Sequence, residues 1–282
     1  MKEDFCGVTY KYFGEYYKKA KGGEGMGARV IAIVNQKGGT GKTTTAVNLG
    51  GGLARHGRKV LLIDMDPSAG LTVSLGHEPS EIKRTIYEVL TGRSGLAQAI
   101  ITHEYKGGSY DFVPANWNLE AAEMDLADVK GRELLLHKSI AGAKRQYDYI
   151  IIDGAPRLAI LAMNSLYAAS ELFIPIDSKY LALNGLKQLL DAVKMVNQVM
   201  DHNLRPVAIM TRYNARQSMS KAVEELVMTT FGTPVLEAKI RDNVTLSGAP
   251  SYGQDIFEFD ARSNGAKDYQ ALTEEVLAME RK

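Results

Sequence analysis

The 282 residues are 45% apolar and 24% charged, enough to bury one large core or two modest ones. A net charge of +1 carries no bulk signature of polyanion binding, so contact with nucleic acid would need a local basic patch, or one doubled in a dimer. One cysteine, Cys6, excludes an internal disulfide framework and any cysteine-built zinc or iron–sulfur site, which fits a reducing, cytoplasmic setting.

Residues 1–28 read as an extension. Phe5, Tyr10, Tyr12, Phe13, Tyr16 and Tyr17 are interleaved with lysines, and the glycines at 22, 23, 25 and 27 read as a flexible linker. Tyr12, Phe13, Tyr16 and Tyr17 are spaced to share one face of a short helix, which would either cover the chain's own domain or dock on a partner. No apolar run approaches the ~18 residues of a membrane span and the N-terminus lacks a secretory apolar core, so the chain is expected to be soluble and not exported.

From residue 29 to 282 a single domain is expected, in which strands and helices alternate. Strands are predicted over 29–34, 59–64, 110–114, 148–152, 171–176, 205–211 and 235–239. Helices are predicted over 42–56, 81–90, 117–126, 132–145, 158–169, 182–201, 219–231 and 265–280. Runs such as Val60-Leu61-Leu62-Ile63 and Tyr149-Ile150-Ile151-Ile152 suit strands buried on both faces. The pattern predicts an α/β fold with a doubly wound, mostly parallel sheet and helices on both faces.

Between the first strand and the first helix stands Lys37-Gly38-Gly39-Thr40-Gly41-Lys42-Thr43, followed by Thr44. Glycines allow backbone N–H groups to close around an anion, and the helix N-terminus adds partial positive charge. Lys42 would neutralise the outer phosphates and the Thr43 hydroxyl would hold Mg²⁺. The run is a phosphate-binding loop, and it points to a nucleoside triphosphate. It departs from the usual form, because Gln36 occupies the place of the first glycine and a second lysine, Lys37, stands at the entrance.

Two predicted strands end in aspartates, at the edge of the sheet where open parallel sheets bind ligands. Asp153 reads as the acid that holds Mg²⁺ directly or through water. Asp64 and Asp66 follow Val60-Leu61-Leu62-Ile63 in the order Asp64-Met65-Asp66-Pro67, again beside the loop.

The loop with its lysine pair resembles the deviant Walker A loop of the ParA/MinD class of P-loop ATPases, and the chain as a whole resembles the ParA partition ATPases most. The likeness runs from residue 29 over some 250 residues. It is carried by the segments 35–49, 147–153, 182–186, 246–253 and 263–269, in the family's order. The resemblance implies ATP and Mg²⁺ as cofactors, with slow, partner-stimulated hydrolysis. Asp66 would orient the attacking water and, with Thr43 and Asp153, serve the metal site, Asp64 would support the metal shell or the loop, and Lys37 would reach the nucleotide of a second subunit. Thr211 and Arg212, with Arg241-Asp242-Asn243, lie where relatives contact the base.

The resemblance further implies an ATP-dependent sandwich homodimer that binds DNA without sequence preference, associates with the nucleoid, and partitions DNA or positions cargo with a ParB-like or adaptor protein. Arg216 matches the DNA-contacting arginine of chromosomal relatives, and Lys221, Lys239, Arg262 and Lys267 are further candidates. Three departures bear on this. Ser68-Ala69-Gly70 replaces Gln-Gly-Asn, Gly154-Ala155-Pro156-Arg157 replaces Cys/Thr-Pro-Pro-Ser, and Thr245 stands where relatives often carry a second arginine. They keep open a regulatory module that holds ATP with little hydrolysis. A MinD-like role is the other alternative, although residues 271–282 are acidic where a membrane helix would be basic. A tyrosine autokinase is a further rival, suggested by the N-terminal tyrosines.

Overall fold

Val30, Ile31, Ala32 and Ile33 lie in β1 (Arg29–Ile33), which pairs in parallel at both edges and sends its side chains into a core on each face. The computed structural model describes residues 27–178, 183–200 and 203–281, so the tyrosine- and lysine-rich stretch 1–26, with Cys6, lies outside the described residues. After β1 come α1 (Lys42–Arg55), β2 (Val60–Met65), α2 (Gly70–Ser74), α3 (Ile86–Leu90) and α4 (Leu96–Ala99). The hairpin of β3 (Ile101–Tyr105) and β4 (Gly108–Val113) follows, then α5 (Ala122–Asp125), α6 (Leu135–Ser139), β5 (Tyr149–Gly154) and α7 (Ile160–Ala168). The chain continues through β6 (Glu171–Asp177), α8 (Leu183–Met200), β7 (Arg205–Thr211), α9 (Ser218–Phe231), α10 (Val244–Gly248), α11 (Ile256–Asp260) and α12 (Asn264–Ala278).

The seven strands run in the order β3-β4-β2-β5-β1-β6-β7, all parallel except the edge strand β3. Alternation along each strand feeds two cores, one on each face of the sheet. Val30, Ala32 and Val34 enter one, and Ile31 and Ile33 enter the other. The carboxyl ends of β1, β2, β5, β6 and β7 meet at one edge, where the chain crosses from β5 over β1 to β6. This is the crevice in which doubly wound sheets bind ligands.

Helix α1 packs unusually close to its neighbours through three successive glycines. A Cβ on Gly50 would stand 2.6 Å from Leu62 Cδ2, one on Gly51 2.4 Å from Asp255 Oδ2, and one on Gly52 2.2 Å from Thr273 Oγ1. At the opposite end of the sheet Arg29 forms a bidentate pair with Glu171 at 2.7 and 2.8 Å and donates to the carbonyl of Val276 at 2.8 Å. Glu280 accepts from Tyr149 and pairs with Arg58, so the C-terminal helix is held to the start of the sheet.

Four predicted elements are corrected. Residues 235–239 form no strand, and only Val235 bridges to Ala208. The N–H groups of Glu237 and Ala238 donate instead to the Glu275 carboxylate, at 2.9 and 2.8 Å. The helix predicted over 81–90 begins only at Ile86, where Thr85 and Glu88 form a capping box. The predicted helices over 117–126 and 132–145 are broken into short turns and the helices α5 and α6.

Candidate nucleotide site

The loop between β1 and α1 is tied down at four points. Asn35 Nδ2 donates to the Pro175 carbonyl at 2.7 Å, and Asn35 Oδ1 accepts from Lys37 N at 3.0 Å. Thr40 Oγ1 donates to the Lys37 carbonyl at 3.3 Å, and Thr211 Oγ1, from the end of β7, donates to the Thr40 carbonyl at 2.9 Å. Gly41 has φ of +90°, a conformation that favours glycine, and from it the chain turns into α1 with its first N–H groups facing the loop. Gly38 and Gly39 carry open space where a side chain would be, and Lys42 is buried. This is a cradle shaped for phosphate.

Thr43 Oγ1 donates to Asp153 Oδ2 at 2.6 Å, so two of the three residues assigned to Mg²⁺ touch. Asp153 and Asp64 are paired positions on adjacent strands, both fully buried. Burial pushes the Asp64 carboxyl up to about 6, against hydrogen bonds from the N–H and hydroxyl of Thr72 and the N–H of Asp66. Burial first, and the nearby Asp64 charge second, raise Asp153 well above the ordinary carboxylate range. Its Oδ1 has no hydrogen-bond partner. A buried carboxylate pair with one unused oxygen beside a hydroxyl fits a hard divalent cation bound by oxygen.

Asp66 is half-buried, with its carboxylate accepting from Ser68 N at 3.0 Å. It borders a cleft of about 330 Å³ that includes Pro156 and Arg157, from the altered segment after Asp153, together with Glu120 and Glu123, which no sequence motif marks. The altered positions after it have structural consequences. Ala69 adopts φ of +53°, and Gly70 lies where a Cβ would be 3.3 Å from Thr43 Oγ1.

On the other side of the loop a pocket of about 220 Å³ is lined by Thr40, Thr44, Thr211, Arg212, Arg241, Asp242, Asn243 and Tyr269, with Gly39 and Gly41. The residues assigned to the base therefore converge. Arg241 is held by Asp268 through Nε at 3.0 Å and Nη2 at 2.6 Å, and Asn243 caps α10 by accepting from Thr245 N at 2.9 Å. Lys37 Nζ lies 3.6 Å from Asp177 Oδ2, and Arg212 Nη1 lies 3.4 Å from the same oxygen. Asp177 carries a signal in the sequence that goes unused there, since it ends a strand at the ligand-binding edge as Asp153 does.

The basic candidates lie outside these pockets. Arg216, Lys221, Arg262 and Lys267 are exposed, the first two on the turn after β7 and on α9, the others before and on α12. Lys239 is engaged, paired with Glu224 at 2.5 Å and donating to the Leu236 carbonyl at 2.6 Å. Among the described residues no helix is long and apolar enough to cross a membrane.

A family model described as an AAA domain, AAA_31, matches residues 28–206. The chain is 39% identical over 251 residues to the sporulation initiation inhibitor protein Soj of Bacillus subtilis, covering 89% of this chain and 98% of that one. It is 37% identical over 256 residues to the chromosome partitioning protein ParA of Caulobacter vibrioides, covering 90% and 95%. Among solved structures, a cobyrinic acid a,c-diamide synthase from Mycobacterium smegmatis with bound ADP and magnesium superposes with a TM-score of 0.80 at 32% identity, covering 90% of this chain and 96% of that one. A putative plasmid partition protein from Borrelia burgdorferi bound to AMPPNP gives 0.74 at 25% identity, covering 89% and 99%. By the match of the AAA_31 model and of the two relatives along almost their whole length, the chain belongs to the ParA/Soj family of P-loop ATPases.

Proposed function

We propose that the protein is an ATP- and Mg²⁺-dependent ATPase that dimerises around bound nucleotide, binds DNA without sequence preference, and partitions DNA or positions cargo with a ParB-like or adaptor protein. The observation that carries this reading is the lysine pair. Lys42 is buried in the cradle, while Lys37 stands at its mouth with a side chain 31% exposed, from which it would reach a second subunit. Thr43 and Asp153 would hold the metal, whose charge would offset the two buried acids and polarise the terminal phosphate. Asp66, whose N–H donates to Asp64 Oδ1 at 3.2 Å, would stand beside the metal and orient the attacking water. Thr211, Arg212, Arg241, Asp242 and Asn243 would enclose the base.

Nucleotide that binds only the paired form stabilises that form, so dimerisation would follow ATP by linkage. Pairing would also double the exposed basic set of Arg216, Lys221, Arg262 and Lys267, which supplies what a nearly neutral chain otherwise lacks. Location on the nucleoid would follow from that affinity. The test is binding to random-sequence duplex DNA without nucleotide and with ADP, ATP or a slowly hydrolysed ATP analogue, while molecular mass is followed. Binding by a dimer with ATP and its analogue alone is expected. ATP-driven dimers that ignore DNA would remove the DNA step and leave a protein partner as the output.

A further inference from the structure

Helix α12 begins at a cap, Ser263 Oγ accepting from Ala266 N at 3.1 Å, and its first turns lie against the pocket proposed for the base. Gly265, Asp268 and Tyr269 stand at i, i+3 and i+4 and so share one face of the helix. At Gly265 a Cβ would stand 2.8 Å from Leu246 Cγ and 3.3 Å from Asn243 Nδ2, so the missing side chain lets two residues of the pocket wall approach the helix closely. Tyr269 lines the pocket itself, and its hydroxyl lies 3.2 Å from Thr45 Oγ1 on α1.

Asp268, between them on that face, holds the wall by direct bonds. Its Oδ2 accepts the Arg241 N–H at 2.9 Å, Arg241 Nε meets both oxygens at 3.0 Å, and Nη2 donates to Oδ1 at 2.6 Å. One carboxylate therefore fixes both where the main chain of Arg241 passes and where its guanidinium lies. The Asp268 side chain is 8% exposed and that of Arg241 47%, so the helix supplies the fixed end of the pair. Before Arg241 the Ile240 N–H is tied to the Met210 carbonyl of β7 at 2.9 Å, and after it Asn243 caps α10.

We propose that Asp268 is a positioning residue for the base, keeping the wall formed by Arg241, Asp242 and Asn243 in place before nucleotide arrives. This rests on the reading above that the pocket takes the base. A wall already in place is not ordered at the ligand's expense. The phosphate loop has ties of its own, from Asn35 to Pro175 and from Thr211 to Thr40. Loss of Asp268 should therefore weaken the share of affinity that depends on the base and spare the share that depends on the phosphates.

Calorimetric titration of the full chain with ATP and with inorganic tripolyphosphate, each with Mg²⁺, separates the two shares. We expect Asp268→Ala to weaken ATP about tenfold and tripolyphosphate by less than about twofold, the second ligand showing also that the loop is folded. Asp268→Asn, which keeps an oxygen for the Arg241 N–H, should weaken ATP by about threefold with the same selectivity. Adding Arg241→Ala to Asp268→Ala should cost less than the two single losses combined, because both remove one contact. Variants that weaken both ligands equally, or neither, overturn the proposal. A parent that binds tripolyphosphate as tightly as ATP overturns it by taking the base out of the pocket. A parent that prefers ATP, with Asp268→Ala keeping that preference in full, leaves the pocket reading intact and removes the role of Asp268 alone.

Discussion

Thr43 Oγ1 donates to one oxygen of Asp153, and the other oxygen of that carboxylate is buried without a hydrogen-bond partner. In the unliganded protein this acid is destabilising, since burial and Asp64 both oppose its charge. Asp153→Asn is therefore expected to raise the stability of the nucleotide-free protein by about 1 kcal/mol at neutral pH. The same change should abolish the tightening of ATP binding by Mg²⁺, measured by calorimetric titration with and without the metal. Mg²⁺-dependent tightening that survives in Asp153→Asn would move the metal elsewhere.

Alanine is a better helix former than glycine by about 1 kcal/mol, yet Gly51→Ala should destabilise the fold. The new Cβ would meet Asp255 Oδ2 at 2.4 Å, and that carboxylate cannot retreat, because it is fully buried, pairs with Arg55 at 2.7 Å and caps α11. A loss of about 2 kcal/mol or more in urea unfolding is expected. Gly142 is the contrast. It has helical φ and ψ, and a methyl group there would meet nothing within 4 Å, so Gly142→Ala should stabilise by about 0.5 kcal/mol.

The Glu275 carboxylate accepts the N–H groups of Glu237 and Ala238, and burial, the largest influence on it, raises its pKa above the ordinary 4.5. The folded state therefore holds this proton more tightly than the unfolded chain. The contribution of Glu275 to stability is fully present below 4.5 and is lost as pH rises through the higher folded value. Stability measured from pH 4.5 upward should fall less steeply in Glu275→Gln than in the parent. Identical slopes in the two proteins would show that Glu275 titrates alike in both states.

Arg216 and Lys239 should separate DNA binding from stability. Arg216 is exposed, whereas the Lys239 ammonium is occupied by Glu224 and the Leu236 carbonyl. Arg216→Ala should weaken binding of random duplex at every salt concentration and flatten its salt dependence by about one ion per site removed, with unfolding unchanged. Lys239→Ala should cost about 1 kcal/mol of stability and leave the salt slope intact. The reverse pattern would place the DNA contact on α9 and the segment packed against it.

Buried runs are legible in the sequence because nothing in them competes with the strand reading. β1, β2, β5, β6 and β7 are continuous apolar stretches, and the predicted spans agree with them to within a residue or two. The edge strand β3 escapes such a reading because Ile101-Thr102-His103-Glu104-Tyr105 shows water most of its side chains and carries a weak apolar signal. At 235–239 the local pattern is strand-like, but the N–H groups that a ladder needs are taken by Glu275, some forty residues later in the chain. The cradle and the Thr43–Asp153 contact follow from motif and strand ends. Asp177 stays hidden because its meaning depends on which strands flank β6, and only the fold supplies that order.

Thr211 reaches across from β7 to the Thr40 carbonyl, and Asn35 anchors the other end of the loop to Pro175. The cradle is thereby set in shape by the fold before any ligand arrives. Nucleotide need not supply the entropy of ordering those residues, so little of its interaction free energy is diverted from affinity. Thr211 also lines the pocket proposed for the base, so the side chain that braces the loop would at the same time be a wall for the base. A change there would reach both ends of the ligand at once, and Thr211→Val, nearly equal in volume, would loosen the loop without opening the pocket.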